Sequence, residues 1–352
     1  MAPIKTIKIR VPASTANIGP GFDALGMGLS MHLTLVVTIP ASSEPASGIT
    51  LSYEGDSKQK VSLSPESNLI TRTAMYVAAA CKSALPRSMH IHIDNPIPLG
   101  RGLGSSGSAA VAGVYLANEA AQLGLSRTQM LDFCLLIEGH PDNVAGSLLG
   151  GFVASYMRNL PDPKLRENPL ALSSFDQYDL IPVPPKTGYG VYMPLEISPK
   201  VKVVVAIPEF ELPTKLAREV LPTAYSRADV IFNFQRLSVL THALAAETPR
   251  AEVVYEAMHD KIHQHYRQHL VPGLPEILSM RPEQFPGLLG LAMSGAGPTV
   301  LAIAIDNFEA IGKEMKRIFA SHIGPDGQPI QCRFEILDVD HDGATCETSV
   351  VA

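Results

Sequence analysis

Eleven residues, PLGRGLGSSGS from Pro98 to Ser108, restrict what this chain can become more than any other segment. Four glycines, Gly100, Gly102, Gly104 and Gly107, fall within eight positions. Residues without a Cβ let the backbone approach a ligand closely. Their N–H groups can then turn into one concavity that suits an anion. A helical pattern, Ala109–Leu123, begins just beyond, so the positive end of its dipole faces the same point. Ser105, Ser106 and Ser108 add hydroxyls for phosphate oxygens or Mg²⁺. Together these features predict a polyphosphate cradle. The competing reading is a plain Gly-rich turn capped by serine.

Three nucleotide-binding alternatives fail on context. Gly102, Gly104 and Gly107 spell G-x-G-x-x-G. A dinucleotide site needs a second strand ending in an acidic residue about 20 positions on, and a helical pattern fills that interval here. The V-A-I-K and H-R-D signatures of protein kinases are absent, as is the P-loop form G-x-x-x-x-G-K-[ST].

A chain of 352 residues, 46% apolar and 18% charged, is globular and long enough for two domains. The net charge of −6 disfavours nucleic acid, which needs a basic stripe, but permits a small anion in a local electropositive pocket. Cys81, Cys134, Cys332 and Cys346 form no C-x-x-C pair, so neither a zinc site nor a redox dithiol is expected. Widely spaced cysteines and an N-terminus without an apolar core segment predict a cytoplasmic protein. Leu288–Ile305 is uncharged and nearly long enough to span a bilayer. Its centre reads SGAGP, which predicts two strands and a turn instead.

Strand patterns fall at Ile7–Val11, His32–Ile39, Met89–Ile93, Val201–Ile207, Leu288–Met293 and Thr299–Ile305. Helical patterns fall at Asn68–Leu85, Thr128–Glu138, Lys215–Leu221, Ala228–Glu247, Glu252–His269 and Phe308–Ser321. Ser43–Gly55 reads as a surface loop. Eight of the 29 prolines lie between Pro161 and Pro199, which predicts a linker or inserted loop. Strands and helices mix without strict alternation, so the class is α+β. The expected units are 1–165, a Pro-rich interval at 166–200, and 201–352.

Four segments, in order, resemble the GHMP kinases, whose acceptors include galactose, homoserine, mevalonate and phosphomevalonate. VPASTANIGPGFDALGMGL is similar to the N-terminal motif of the homoserine-phosphorylating branch. PLGRGLGSS is similar to the phosphate motif P-x-G-x-G-L-G-S-S. EGHPDNVAGSLLGGF resembles the segment H-x-D-N-V-A-x-x-x-x-G-G, and SGAGPTVLA the C-terminal glycine-rich motif. The resemblance implies two α+β domains. The first carries a left-handed β-α-β unit around the phosphate loop; the second is ferredoxin-like, with the site between them. It further implies ATP and Mg²⁺ as cofactors, L-homoserine as the substrate that becomes O-phospho-L-homoserine in threonine biosynthesis, and a homodimer that binds neither nucleic acid nor membrane.

On the same resemblance, Pro98, Leu99, Gly100, Arg101, Gly102, Leu103, Gly104, Ser105, Ser106, Gly107 and Ser108 bind the phosphates, and Ser106 and Glu138 hold Mg²⁺. Asn17, Asp23, His140, Asp142, Thr214, Arg218 and Arg267 contact the acceptor. Arginine suits bidentate binding of a carboxylate, and Thr214 shares a helical face with Arg218 four residues on. Taken alone, either arginine reads as a surface ion pair, and Glu138 as a solvated helix-end carboxylate. Asn68 is either an adenine contact or a helix N-cap. Asp142 is the chemical candidate for a general base, and Asn143 occupies the equivalent spot in the homoserine branch. Transfer through a loose transition state asks little of a base, so approximation and electrostatics are expected to suffice. His259, His263, His265 and His269 read as a polar helix face rather than a metal site. SGAGPT is a hairpin turn or a loop closing near the phosphates. The rival readings are a mevalonate-type kinase of the same fold and a non-catalytic ligand sensor.

Overall fold

A computed structural model describes residues 4–40, 48–160, 165, 167–172, 174–175 and 181–351. A long antiparallel pair opens the chain, β1 (Ile4–Ala16) and β2 (Leu25–Ile39). In β2, Leu29, Leu33, Leu35 and Val37 are buried while Ser30, His32, Thr34 and Val36 are not, the period-2 pattern of a sheet with one covered face. β3 (Gly48–Gly55) and β4 (Ser88–Asn95) run parallel, joined through α1 (Leu69–Ala80). The phosphate-loop segment follows β4 and leads into α2 (Ser105–Ala120). Next come α3 (Arg127–Glu138), α4 (Asp142–Leu149), β5 (Phe152–Met157) and β6 (Gly190–Leu195).

The second half begins with β7 (Lys202–Pro208), α5 (Thr214–Glu219), α6 (Arg227–Ala243), α7 (Ala251–Ala257), α8 (Gln264–Arg267) and α9 (Leu274–Leu278). It continues through β8 (Leu288–Met293), β9 (Val300–Ala304), α10 (Phe308–Ala320), β10 (Cys332–Asp338) and β11 (Thr345–Val351). The order β10-β7-β9-β8, all antiparallel, is the ferredoxin-like arrangement. The first sheet has the order β11-β1-β2-β4-β3, with β5 paired to β2 and β6 to β5.

Both faces of the four-stranded sheet are apolar, because it is covered twice. Val204, Ala206, Val300 and Ala302 pack with Ile311, Met315, Ile318 and Phe319 of α10. Val203, Val205, Ile207, Leu301 and Ile303 belong to the same core as Ile7, Leu29 and Val111. At about 1.5–3 kcal/mol per buried aliphatic side chain, this shared layer holds the two sheets as one body.

Several sequence expectations change. Within Ser43–Gly55, residues 48–55 form edge strand β3 rather than a loop, and the rest lie outside the described residues. Only Tyr53 of β3 is buried, so the strand is nearly as polar as a loop. Part of the Pro-rich interval also lies outside them, but 190–195 is a strand of the first sheet. β11 returns to that sheet beside β1, far in sequence from its partner. Glu252–His269 is not one helix. The Asp260 carboxylate accepts from the backbone N–H groups of Ile262, His263 and Gln264 at 2.7–2.9 Å, which breaks the run between α7 and α8. Leu288–Ile305 is the hairpin expected, and among the described residues no helix is long and apolar enough to cross a membrane.

Candidate active site

One cavity of about 760 Å³ opens at the seam between the sheets. Its walls change character along its length. Tyr53, Val61, Leu69, Ile70, Ile93 and Leu99 make an apolar end. The middle is formed by Gly100, Arg101, Gly102, Gly104, Ser105, Ser106 and Glu138. The far end carries Asp23, His140, Asp142, Thr214, Arg218 and Arg267.

The cradle is built by backbone conformations that need glycine. Gly100, Gly102 and Gly104 have φ of 63°, 81° and 69°. A Cβ on Gly104 would lie 2.1 Å from Ser14 Oγ, and one on Gly102 would lie 2.3 Å from the Ser294 carbonyl oxygen. Gly104 is also the N-cap of α2, and among the described residues no side chain caps that helix. Among the described residues nothing takes its first-turn N–H groups, and the helix dipole favours negative charge there. The Ser105 hydroxyl is buried without a hydrogen-bond partner among the described residues. Four of the expected loop residues do not line the cavity. Pro98 and Leu103 are buried beneath the loop, and Gly107 lies against Asn143 and Val144. Ser108 donates to the Pro12 carbonyl at 2.9 Å and lies 3.2 Å from Ser147, so its hydroxyl packs helix on strand instead of reaching phosphate.

Glu138 ends α3, and its carboxylate accepts from Ser106 Oγ at 3.0 Å. Burial pushes its carboxyl above the usual range, with His140 and the Ser106 bond working against that. His140 Nε2 lies 3.9 Å from its Oε2, and two hard oxygens beside a phosphate cradle suit Mg²⁺, which takes few protein ligands and completes its shell with phosphates and water. Among the described residues no group of three or more acidic, His or Cys side chains could hold a metal by itself.

At the far end Arg218 clasps Asp23 bidentately, with Nη1–Oδ2 at 2.9 Å and Nη2–Oδ1 at 2.7 Å. Thr214 and Arg218 share α5 and both line the cavity. Arg267 is buried, donating from Nε to the Ala217 carbonyl at 2.9 Å and from Nη1 to that of Gly295 at 3.3 Å. Burial, reinforced by Arg218, pushes it down to about 10, so it stays cationic near neutrality. Its Nη2 has no hydrogen-bond partner among the described residues. His140 Nδ1 donates to Asp142 Oδ1 at 2.8 Å, and that oxygen also accepts the Asn143 N–H at 2.8 Å. Burial lowers the His140 pKa, but Asp142 and Glu138 outweigh it and the ring is held above the usual range. Asn17 is engaged at both ends of its amide, donating to the Gly295 carbonyl at 2.7 Å and accepting from Asp23 N–H at 3.0 Å. Asn68 lines the cavity too, but its amide is consumed locally, accepting from Ile70 N–H at 3.0 Å as the N-cap of α1 and donating to the Ser62 carbonyl at 2.8 Å.

The SGAGP turn locks the two halves of the site together. Ser294 Oγ donates to the Gly102 carbonyl at 2.5 Å and lies 2.8 Å from Thr15 Oγ1. Sequence reading did not single out Phe22, although it lies inside the N-terminal motif. Both guanidinium groups sit over its ring, Arg218 at 5.6 Å and Arg267 at 5.2 Å. It also did not find His263 as a buried group; the pattern pointed to an exposed helix face, and the Asp260 break turned the ring inward.

A bare-amide cradle beside an apolar pocket and a separate charged end is a phosphoryl-transfer layout, and its class is that of the GHMP kinases. Residues 68–151 match the model of the GHMP kinase N-terminal domain. The homoserine kinase of Saccharomyces cerevisiae is 46% identical, with 98% of this chain and 99% of that protein aligned. The one from Schizosaccharomyces pombe is 48% identical over 97% and 99%. The chain therefore belongs to the homoserine kinase family. Solved structures agree on the fold at lower identity. The Cytophaga hutchinsonii homoserine kinase has a TM-score of 0.72 at 23% identity, covering 97% of both chains. The Leishmania major mevalonate kinase with R-mevalonate has 0.61 at 14%, covering 95% of this chain and 96% of that one.

Proposed function

We propose that this enzyme transfers the γ-phosphoryl group of ATP to the side-chain hydroxyl of L-homoserine, giving ADP and O-phospho-L-homoserine, a step of threonine biosynthesis. Membership of the family supports ATP as donor, with the apolar end taking adenine and the cradle the phosphates. The single observation that carries the acceptor is the Asp23–Arg218 pair. The two side chains are 33% and 38% exposed, so the pair contributes only about 0–1 kcal/mol and opens at little cost. A zwitterion entering there gives its ammonium to Asp23 and its carboxylate to Arg218 and Arg267. Each charge-assisted bond gained contributes about 1.5–3 kcal/mol. An acceptor without an ammonium, such as mevalonate, leaves Asp23 unpaired beside an anion.

Mg²⁺ belongs to the same reading, with Ser106 and Glu138 as its protein ligands; when bound it neutralises charge on the phosphates. His140 orients the Asp142 carboxylate and, with Asn143, occupies one of its oxygens. The remaining oxygen is available to align the acceptor hydroxyl. Positioning and charge stabilisation carry the transfer, without a dedicated base. A cytoplasmic homodimer completes the reading, supported by the four unpaired cysteines and by the motif resemblance.

ADP release from MgATP with homoserine, serine, mevalonate, galactose and no acceptor tests the proposal, with product mass as the check. Turnover confined to homoserine, slowed by added serine or threonine, is the expected result. Turnover of mevalonate alone would sink the zwitterion clamp. Nucleotide binding without turnover of any acceptor would favour a ligand sensor.

A further inference from the structure

Behind the acceptor end lies a fully buried imidazole that none of the roles above uses. His263 Nε2 lies 2.8 Å from the Gly19 carbonyl oxygen. A carbonyl only accepts, so Nε2 carries the proton. The neutral ring then presents Nδ1 as an acceptor, and Arg267 Nη1 lies 3.3 Å from it. One ring thus joins Gly19 of the N-terminal loop to Arg267 of α8. The ring also stacks on Phe22, centroids 5.2 Å apart at 23°.

The loop it grips carries backbone strain. Asn17, Ile18, Gly19 and Asp23 have φ of 70°, 44°, 68° and 52°. Left-handed conformations cost about 1–3 kcal/mol each for residues such as β-branched Ile18, and they persist only where surroundings impose them. Asp260 anchors the His263 side of this junction through the backbone of 262–264, and it accepts from Asn233 Nδ2 at 2.7 Å. Protonating the ring would turn a second donor, and a like charge, toward the Arg267 guanidinium. Burial keeps His263 below the usual imidazole range despite Asp260 nearby, and Arg267 acts in the same direction.

We propose that His263 is a positioning residue of the acceptor site. As the neutral Nε2–H tautomer it ties the loop bearing Asn17 and Asp23 to Arg267, and so fixes the separation between the ammonium and carboxylate ends of the substrate. This inference rests on the carboxylate-binding reading of Arg267 given above.

Two amide substitutions divide the ring's two bonds. His263→Gln keeps a donor near the Nε2 position and loses the acceptor facing Arg267. His263→Asn keeps an acceptor near the Nδ1 position and loses the bond to Gly19. Each is assayed with L-homoserine and with 3-aminopropan-1-ol, which lacks the carboxylate. The expected result for His263→Gln is a KM for homoserine raised about 10- to 100-fold, with KM for ATP and kcat/KM for 3-aminopropan-1-ol unchanged. For His263→Asn both acceptors lose, because the loop itself loosens. Equal losses on both acceptors with both variants, or a lower Tm with unchanged KM values, overturn the proposal. Should neither variant fold, ¹⁵N NMR of the wild-type ring, assigned through its contact with Phe22, decides. An Nε2–H neutral tautomer near neutral pH is expected; an Nδ1–H tautomer or an imidazolium refutes the link. Failure of the wild-type enzyme to phosphorylate homoserine is a separate outcome, and it counts against the function rather than against the tautomer.

Discussion

Arg218 and Glu138 are the two side chains whose chemistry is most exposed to test. Arg218→Ala removes both bonds to Asp23 and the clamp expected on the acceptor carboxylate. A fall in kcat/KM for homoserine of about 100-fold or more is expected, with KM for ATP little changed. Arg218→Lys should recover only part, since an ammonium cannot reproduce the planar fork. For Glu138 the sign of the stability effect is opposite to that of activity. Its folded pKa is raised by burial, so the stability it contributes is present below the unfolded value and is lost as pH rises through the folded one. Glu138→Gln should therefore raise the Tm of the ligand-free enzyme near neutral pH and flatten its pH dependence. Turnover should fall about 10²–10³-fold, as when one preorganised charge-stabilising group is removed. A variant with lower Tm and full activity would refute both the buried-carboxylate account and the metal-ligand role. Both residues were singled out through the family resemblance; taken alone, Arg218 reads as a surface ion pair and Glu138 as a solvated helix-end carboxylate. Their partners were not legible: nothing in the chain says that Arg218 meets Asp23, 195 residues away.

At the scale of elements, the phosphate loop and the start of α1 make contrasting predictions. Gly104→Ala places a Cβ 2.1 Å from Ser14 Oγ at a φ of 69°, so the loop must move. Loss of nucleotide binding, followed by titration calorimetry with ADP, is the expected outcome. Gly124→Ala has a similar φ of 67° with nothing within 4 Å, so only the backbone penalty of about 1–2 kcal/mol should appear, with activity kept. Asn68→Ala should cost about 1 kcal/mol of stability through the lost N-cap and leave KM for ATP unchanged, because both ends of the amide are used inside the protein. A large rise in KM for ATP would restore the adenine contact. The helix of α1 and the glycine cradle could be read from local rules, since capping and left-handed turns are local physics. β3 could not, because a polar edge strand differs from a loop only through the neighbour it pairs with. The break between α7 and α8 was hidden for a related reason: one aspartate outcompeted helix hydrogen bonding over three successive N–H groups.

For the molecule as a whole, the return of β11 to β1 is the feature with the largest consequence. Seven residue pairs join the two strands. At about 0.5–1.5 kcal/mol per hydrogen bond their sum approaches the roughly 5–15 kcal/mol that holds a domain folded. Truncation after Gly343 should therefore abolish cooperative unfolding of the entire enzyme, measured by circular dichroism, rather than trim a tail. Because one face of the second sheet shares the core of the first, the intact chain should unfold in a single calorimetric transition. Two resolved transitions would contradict that shared core.

By itself the sequence determined the local chemistry: a glycine-rich cradle leading into a helix, and a run of strands and helices of α+β type; the charged groups for a zwitterionic acceptor were singled out only by the family resemblance. The cradle and the elements follow from short-range rules, where backbone freedom, capping and side-chain charge act within a few residues. Only the tertiary structure decided which charges meet, which cradle residues face the cavity, that Ser108 turns inward, and that His263 is buried between the N-terminal loop and Arg267. Those outcomes depend on contacts between segments up to hundreds of residues apart, and burial is a property of the assembled core rather than of any window of sequence.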